Sequence, residues 1–438
     1  MLKKIKITLL LLCVMQCTFA QEPFSLQQCI DYAIAHNLEI MDSKITNGLR
    51  KVDLKIAQNE KLPDLNAYAN LYSNFGQGQD VFGTTRRNDN LNGDLGLSAN
   101  VLLYNHHKLR NEVKKADLFI GVSEAELAVI KRKITIKVME GYLAIQLNRE
   151  IARSVDSAVF YGTKQYEKAL KTTQAGTTAL TVQYEAQANL AREKQKGQKA
   201  TQEVERAKLN LAQLIQIPDY RTFDVLALDA DDQSIAVGYR VDEAIALSLE
   251  NHPDLKRLKL LQKSNALDRK IIQSDLYPLI KGSAVLGSRY FNSLVTGNEA
   301  HFLPQVQDNF SQQVALTISI PIFNKGRVKN AVAKNDLALQ QQDVQLQQQF
   351  TVISQELEKM YFDYRAFTDQ LLASQEMVHS TKMALGFTTK SFDAGMSSIY
   401  DLNVSRNNYL NAESEMIQAK YNCLFVSKMI KYYVDEKF

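Results

Sequence analysis

Few residues in this sequence could do chemistry. His106-His107 is the only adjacent imidazole pair, and Cys29 and Cys423 are the only thiols beyond the first twenty positions. Two neighbouring histidines on a helix project about 100° apart, which makes them a poor pair of metal ligands. They read as polar residues near a strand-to-helix junction. Cys29 and Cys423 fall on apolar helix faces, where cysteine behaves as a small buried hydrophobe, and they allow one disulfide at most. No GxxxxGK[ST], HExxH or GxSxG occurs, and GQG at 76–78 lacks the third glycine of a dinucleotide loop. The carboxylates are scattered through long charged stretches, the usual mark of a solvated face. No catalytic residue, metal or cofactor is expected, and the chain does not read as an enzyme.

The elements that carry these residues suggest a different purpose. The chain opens MLKKIKITLLLLCVMQCTFAQ, with three lysines, an apolar run and small residues ending at Ala20. This predicts a secretory signal peptide over 1–20. Gln16 before Cys17 and Leu12 before Cys13 are poor sites for lipidation. Without Lys3, Lys4 and Lys6, the 52 basic residues become 49 against 48 acidic ones. A near-neutral chain without a clustered basic surface points away from nucleic acid.

The rest of the sequence reads as two copies of one plan. HNLEI at 36–40 aligns with NHPDL at 251–255, and Pro63 with Pro278. VLLYNHHKLRN at 101–111 aligns with IPIFNKGRVKN at 320–330, which superposes Asn105 on Asn324 and adds Pro321 to the second copy. Tyr142 pairs with Tyr361 and Gly176 with Gly395. Such self-similarity predicts tandem repeats over 21–216 and 240–438, with 217–239 between them as an equatorial segment.

Within each repeat the period changes in a fixed order. LQQCIDYAIAHNLEI and VDEAIALSLENHPDL place apolar residues three and four apart, so each opens with helices, Ser25 capping the first. A second helix is stopped at Pro63 or Pro278. Strict alternation then appears over 91–103 and 309–322, and more weakly over 65–76 and 279–291, with polar loops between. Each of these four segments has the length and pattern of a tilted membrane-spanning β-strand. Tyr72, Phe75, Tyr104, Tyr277, Phe310 and Phe323 crowd their ends, as an aromatic girdle would. Long helices without internal proline follow, each breaking at Ala-Gly, near 174–178 and 393–397, and returning for about 40 residues. At about 1.5 Å per residue, the 59 residues from Arg327 to Leu385 alone span roughly 90 Å, so they need partners along their length, as in coiled coils.

Four strands cannot close a barrel, and an open sheet in lipid leaves unpaired backbone at both edges. The fold class expected is therefore an α+β membrane protein whose sheet is completed by other copies of the chain. The competing expectation is a secreted or periplasmic coiled-coil structural or interaction protein without pore activity.

In the order and duplication of these motifs, the sequence resembles the TolC-type outer membrane efflux proteins over essentially its whole mature length. That resemblance implies a homotrimer, with a twelve-stranded β-barrel in the outer membrane of a Gram-negative bacterium and a long α-helical periplasmic tunnel. It also implies an exit duct that works with a periplasmic adaptor protein and an inner-membrane pump or exporter, in efflux or type I secretion. By the same resemblance, Ala175, Gly176, Ala394 and Gly395 would be tip turns that meet the adaptor, and Asp401 would be an acid at the pore entrance. Val182 stands at the equivalent position in the first repeat. Ser397 stands where some relatives carry an arginine in a gating ion pair, so that pair is not evident. Asp401 also reads, more plainly, as a carboxylate at a helix N-terminus, where the dipole favours it.

Overall fold

The computed structural model describes residues 23–79, 82–228, 237–295 and 301–435; the expected signal peptide lies outside the described residues. In chain order the elements are α1 (Leu26–His36), α2 (Leu38–Asn59), β1 (Asp64–Asn74), β2 (Gln77–Gln79), β3 (Thr85–Arg87), β4 (Asn90–Tyr104), α3 (Lys108–Gln174) and α4 (Leu180–Leu214). They continue as α5 (Val241–Asn251), α6 (Pro253–Ser274), β5 (Leu279–Ser293), α7 (Phe302–Asp308), β6 (Ser311–Ser319), α8 (Arg327–Asp393) and α9 (Ile399–Asp435). Two compact units divide them. One holds residues up to Lys44, Glu126–Leu255 and those from Gln348 on; the other holds Ile45–Ala125 and Lys256–Gln347.

The first unit is helical, and its start is set by a capping box. Ser25 Oγ accepts from Gln28 N at 3.2 Å, and Gln28 Oε1 accepts from Ser25 N at 2.8 Å. Cys29, Ile30 and Ala33 of α1 then pack on Ile134, Val138, Tyr142 and Ile145 of α3 and Leu211 and Ala212 of α4. A second core joins Met139 and Leu143 of α3 to Leu371 of α8 and Ala419, Cys423 and Leu424 of α9. Each fully buried Ile or Leu contributes about 1.5–3 kcal/mol. Both cysteines are buried and free, and burial pushes the Cys29 thiol up to about 12.

Residues 217–228 strap onto this core. Phe24 and Val225 form a parallel bridge, and Phe223 and Val225 are buried. Tyr142 donates its hydroxyl to Leu226 O at 2.8 Å, and its counterpart Tyr361 donates to Tyr239 O at 2.9 Å. Burial pushes both phenols up to about 12. Residues 229–236, also part of the expected equatorial segment, lie outside the described residues.

The junction of the two opening helices is capped differently in each half. Between α1 and α2, Asn37 Oδ1 accepts from Glu39 N at 2.9 Å and from Ile40 N at 3.3 Å. Between α5 and α6, buried His252 occupies the same place, its Nδ1 accepting from Asp254 N at 3.3 Å. An accepting Nδ1 requires a neutral ring, and burial, helped by Arg132, lowers the His252 pKa to about 4. A depressed imidazole pKa means that the unfolded chain binds the extra proton first. Stability from this site is therefore full above pH 6.5 and is lost as pH falls toward about 4, by on the order of 3 kcal/mol. His252→Asn should remove that acid sensitivity between pH 6.5 and 4 while keeping the cap. Urea midpoints across this range test it, and an unchanged pH slope would refute it.

The second unit carries the sheet, in the order β1-β4-β5-β6 and antiparallel throughout. Register sorts the side chains cleanly. One face holds Leu65, Ala67, Ala69 and Leu71 of β1, Leu95, Leu97 and Val101 of β4, and Val314, Leu316 and Ile318 of β6. The other holds Asn66, Tyr68, Asn70, Tyr72 and Asn74 of β1 with Asn90, Asn92, Asp94, Ser98 and Asn100 of β4. The apolar face is open: Val314 is 87% exposed and Leu65 71%. On α2, Ile45, Leu49, Val52 and Ile56 recur at four, three and four, and all are exposed. Among the described residues, no helix is long and apolar enough to cross a membrane.

Three details differ from the sequence expectation. The 76–90 loop contains the paired β2 and β3, and the 291–309 loop contains α7. The last strand spans nine residues, Ser311–Ser319, rather than 309–322. Pro321 lacks the N–H that would continue a ladder, so pairing ends before it.

Candidate functional site

The two Ala-Gly turns close their hairpins in the same way. Gly176 has φ +70° and Gly395 φ +75°, the left-handed conformation that glycine adopts without strain. Thr177 N donates to Thr172 O at 3.0 Å and Gly176 N to Thr173 O at 3.0 Å. At the second turn, Met396 N donates to Ser391 O at 2.9 Å and Gly395 N to Phe392 O at 3.0 Å. This is the Schellman pattern that satisfies the last carbonyls of a helix. Ala175 and Ala394 each make the last regular helical bond, to Lys171 O and Lys390 O.

Past the glycines the turns diverge. Ser398 caps α9 through a reciprocal box: Asp401 N donates to Ser398 Oγ at 3.1 Å, and Ser398 N donates to Asp401 Oδ2 at 3.0 Å. The Ser398 hydroxyl also donates to Asp401 Oδ2 at 2.6 Å, and these bonds hold the Asp401 carboxyl below the usual carboxylate range. Asp401 is thus occupied as a helix cap. Ser397 donates to Ser391 Oγ at 2.6 Å. At the first turn Ala179 offers no side-chain cap, and threonines take over. Thr178 Oγ1 donates to Thr172 Oγ1 at 2.9 Å, and Thr177 Oγ1 to Thr172 O at 2.8 Å. Val182 packs with Tyr166 and Phe392 around buried Ala169, Ala186 and Ile399, which joins the two hairpins.

An ion pair absent from the sequence reading also joins them. Lys168 Nζ lies 2.7 Å from Asp393 Oδ1 and 5.3 Å from the Phe392 ring centroid. Both partners are more than half exposed, so the pair contributes about 0–1 kcal/mol. Higher up, Arg406 Nη1 donates to Gln165 Oε1 at 2.7 Å, while Glu413 accepts from Tyr409 at 2.8 Å and from Ser154. The Tyr409–Glu413 bond is local to α9, but the others were not legible, because each depends on how two hairpins far apart in sequence come together.

The remaining motif residues punctuate the sheet. Pro63 and Pro278 stand immediately before β1 and β5. Asn105 O accepts from Lys108 N at 3.1 Å, and Asn324 O accepts from Arg327 N at 3.0 Å, one bond in each repeat position. Both are followed by two left-handed residues, His106 (φ +48°) and His107 (φ +64°) in one case, Lys325 (φ +54°) and Gly326 (φ +72°) in the other. The histidines therefore sit in the turn before α3, not on a helix. His106 stacks on Tyr277 with centroids 3.4 Å apart. Among the described residues, no three His, Cys, Asp or Glu gather as a metal site. His107→Gly should relieve a left-handed residue with a side chain and stabilise the protein by about 1 kcal/mol. Thermal unfolding tests this, and a lowered midpoint would refute it.

Residues 244–425 match the family model of the outer membrane efflux protein. No curated protein sequence matches the chain. Among solved structures, the fold is shared with the outer membrane protein VceC from Vibrio cholerae at 17% identity and a TM-score of 0.75, covering 93% of this chain and 95% of that one. CusC, solved in connection with transmembrane channel formation, gives 14% identity and a TM-score of 0.79 over 93% and 91% of the two chains. The Campylobacter jejuni CmeC outer membrane channel gives 16% and 0.72 over 93% and 85%. The resemblance read from the motifs is therefore supported twice: the second half of the chain matches the efflux-protein family model, and the fold is shared with these channels along its length.

Proposed function

We propose that this protein is the outer membrane exit duct of a tripartite efflux or type I secretion system in a Gram-negative bacterium, with a large periplasmic portion. The observation that carries this reading is the four-stranded sheet, with one apolar face, one polar face and two unpaired edges, β1 and β6. In hydrocarbon, each unpaired backbone group costs several kcal/mol, so the edges must meet strands of other copies. Three copies, the number the efflux-protein resemblance implies, supply twelve strands, with apolar side chains toward lipid and polar ones toward a water-filled lumen. The exposed Ile45–Leu49–Val52–Ile56 stripe on α2 supports the same lateral assembly.

The two glycine turns would dock the adaptor through Ala175, Gly176, Ala394 and Gly395. Asp401, Ser397 and Val182 would stand around the entrance, where Asp401 can hold α9 and still lend negative charge to a cation-attracting ring. Opening would part α3 from α9 against the Arg406–Gln165 and Glu413 hydrogen bonds. Substrate driven by the inner-membrane pump would then cross passively, with no chemistry in this chain.

The mass of the native protein, extracted from outer membranes in mild detergent, tests the assembly. About three times the 49.5 kDa chain is expected, a little less with the signal removed. A monomer, or protein found only in the soluble fraction, would instead favour the coiled-coil interaction module and end the duct reading.

A further inference from the structure

The polar face of the sheet has a composition that a plain water-filled wall does not need. Along β1 it reads Asn66, Tyr68, Asn70, Tyr72, Asn74, an amide and a phenol in strict alternation. Opposite them on β4 stand Ser98, Gly96, Asp94, Asn92 and Asn90. Asn70 Nδ2 donates to Asp94 Oδ2 at 2.7 Å, and Asp94 is in register with Arg289 of β5, so the patch has no net charge.

Tyr68 is laid down on the sheet. Its register neighbours across two strands are Gly96 and Gly287. A β-carbon on Gly96 would come within 2.8 Å of the Tyr68 hydroxyl oxygen, and one on Gly287 within 3.1 Å. The oxygen therefore occupies the place those side chains would take, and the side chain of Tyr68 lies flat across the neighbouring strands. Among the described residues the Tyr68 hydroxyl has no hydrogen-bond partner. Tyr72, four positions on and so about 13 Å along the strand, is half exposed. Between the two rings lie the Asn70 amide and the Asp94 carboxylate.

We propose that this face is a binding track for neutral polyhydroxylated chains, that is, oligosaccharides. An aromatic ring lying flat stacks on the C–H face of a pyranose, and side-chain amides and carboxylates pair with vicinal hydroxyls. Asp94 beside Arg289 leaves no net charge that would favour an ion of one sign. The assignment rests on the polar face being the lumen of the duct, and it names a substrate class for that lumen.

The test is ion conduction through the native oligomer in a planar bilayer, with maltohexaose as the probe. Reversible, concentration-dependent interruption of the current is expected. Tyr72→Ala and Asp94→Asn should each raise the concentration for half-block about tenfold, and Tyr72→Phe, which keeps the ring, should not. Continued conduction by each variant reports that its pore has formed. Conduction that maltohexaose leaves untouched, or block that survives Tyr72→Ala and Asp94→Asn, would overturn the binding track and leave the duct standing. Block by a short neutral peptide but not by maltohexaose would also overturn it. Absence of any conduction by the native oligomer would fall on the duct reading itself.

Discussion

Gly96→Ala is expected to leave little or no assembled protein in the membrane. A β-carbon there would lie 2.4 Å from Leu286 O and 2.9 Å from Gly287 Cα, both backbone atoms of the adjacent strand. Contacts that short cannot be relieved by turning a side chain, so β4 and β5 would have to separate where the two glycines face each other. The cost is about 3 kcal/mol or more, at the upper end of overpacking, and it falls on the central pair of the sheet. Removing the tyrosine as well, in Tyr68→Ala/Gly96→Ala, should not rescue assembly, because the shortest contact is with the carbonyl. Gly386→Ala is the informative control. That glycine lies inside helix α8 with nothing within 4 Å of an added β-carbon, so alanine should stabilise it by about 0.5–1 kcal/mol. Heat-resistant oligomer in the membrane fraction is the readout. Native amounts of oligomer from Gly96→Ala would show that the strands do not approach as described.

Gly395→Val should have the opposite profile, with normal assembly and lost export. An added side chain at 395 meets nothing within 4 Å, so crowding is not the difficulty. The backbone is: at φ +75° a β-branched residue is strained by roughly 1–2 kcal/mol, and the turn would give up the Met396–Ser391 and Gly395–Phe392 bonds to escape it. That penalty is local, since the main core of α3, α8 and α9 lies farther along the helices and only the small cluster around Phe392 and Ile399 is close to the turn. Oligomer yield should therefore stay near native while export through the assembled system falls about tenfold or more, as expected when a docking surface loses its shape. Gly176→Val should behave alike. Normal export by Gly395→Val would remove the adaptor role from this turn.

The contrast between these glycines shows what a sequence discloses. Gly395 could be placed from sequence because a helix end needs a residue that tolerates positive φ, and AGMSS interrupts a long run of helix formers. Gly96 could not be singled out within LNGDLGLSAN, since its constraint is the backbone of a strand roughly two hundred positions away. Strand alternation was legible where it was long. The stretch at 91–103 became Asn90–Tyr104, whereas three-residue β2 and β3 are too short for any period to show. S-x-x-D at 398–401 is a capping signature in plain sight, and the capping box it forms agrees with the plainer reading of Asp401 as a carboxylate at a helix N-terminus. Asn37 and His252 were aligned by the repeat, but that one would cap as an amide and the other as a neutral imidazole needed burial to be known.

The sheet order also sets a schedule. Its central pair, β4 with β5, joins strands separated in the chain by the whole of α3, α4, α5 and α6. Pairing of such sequence-distant segments is slow, because a long loop must close before any rung rewards it. A chain read out from its N-terminus therefore displays β1 and β4 as a lone hairpin while more than half of its length is still to come, and β6 arrives only just before α8. The helices can form as they emerge; the sheet cannot. Its apolar face must wait exposed through that interval, so the duct reading carries with it a need for something to shield that face until β6 arrives.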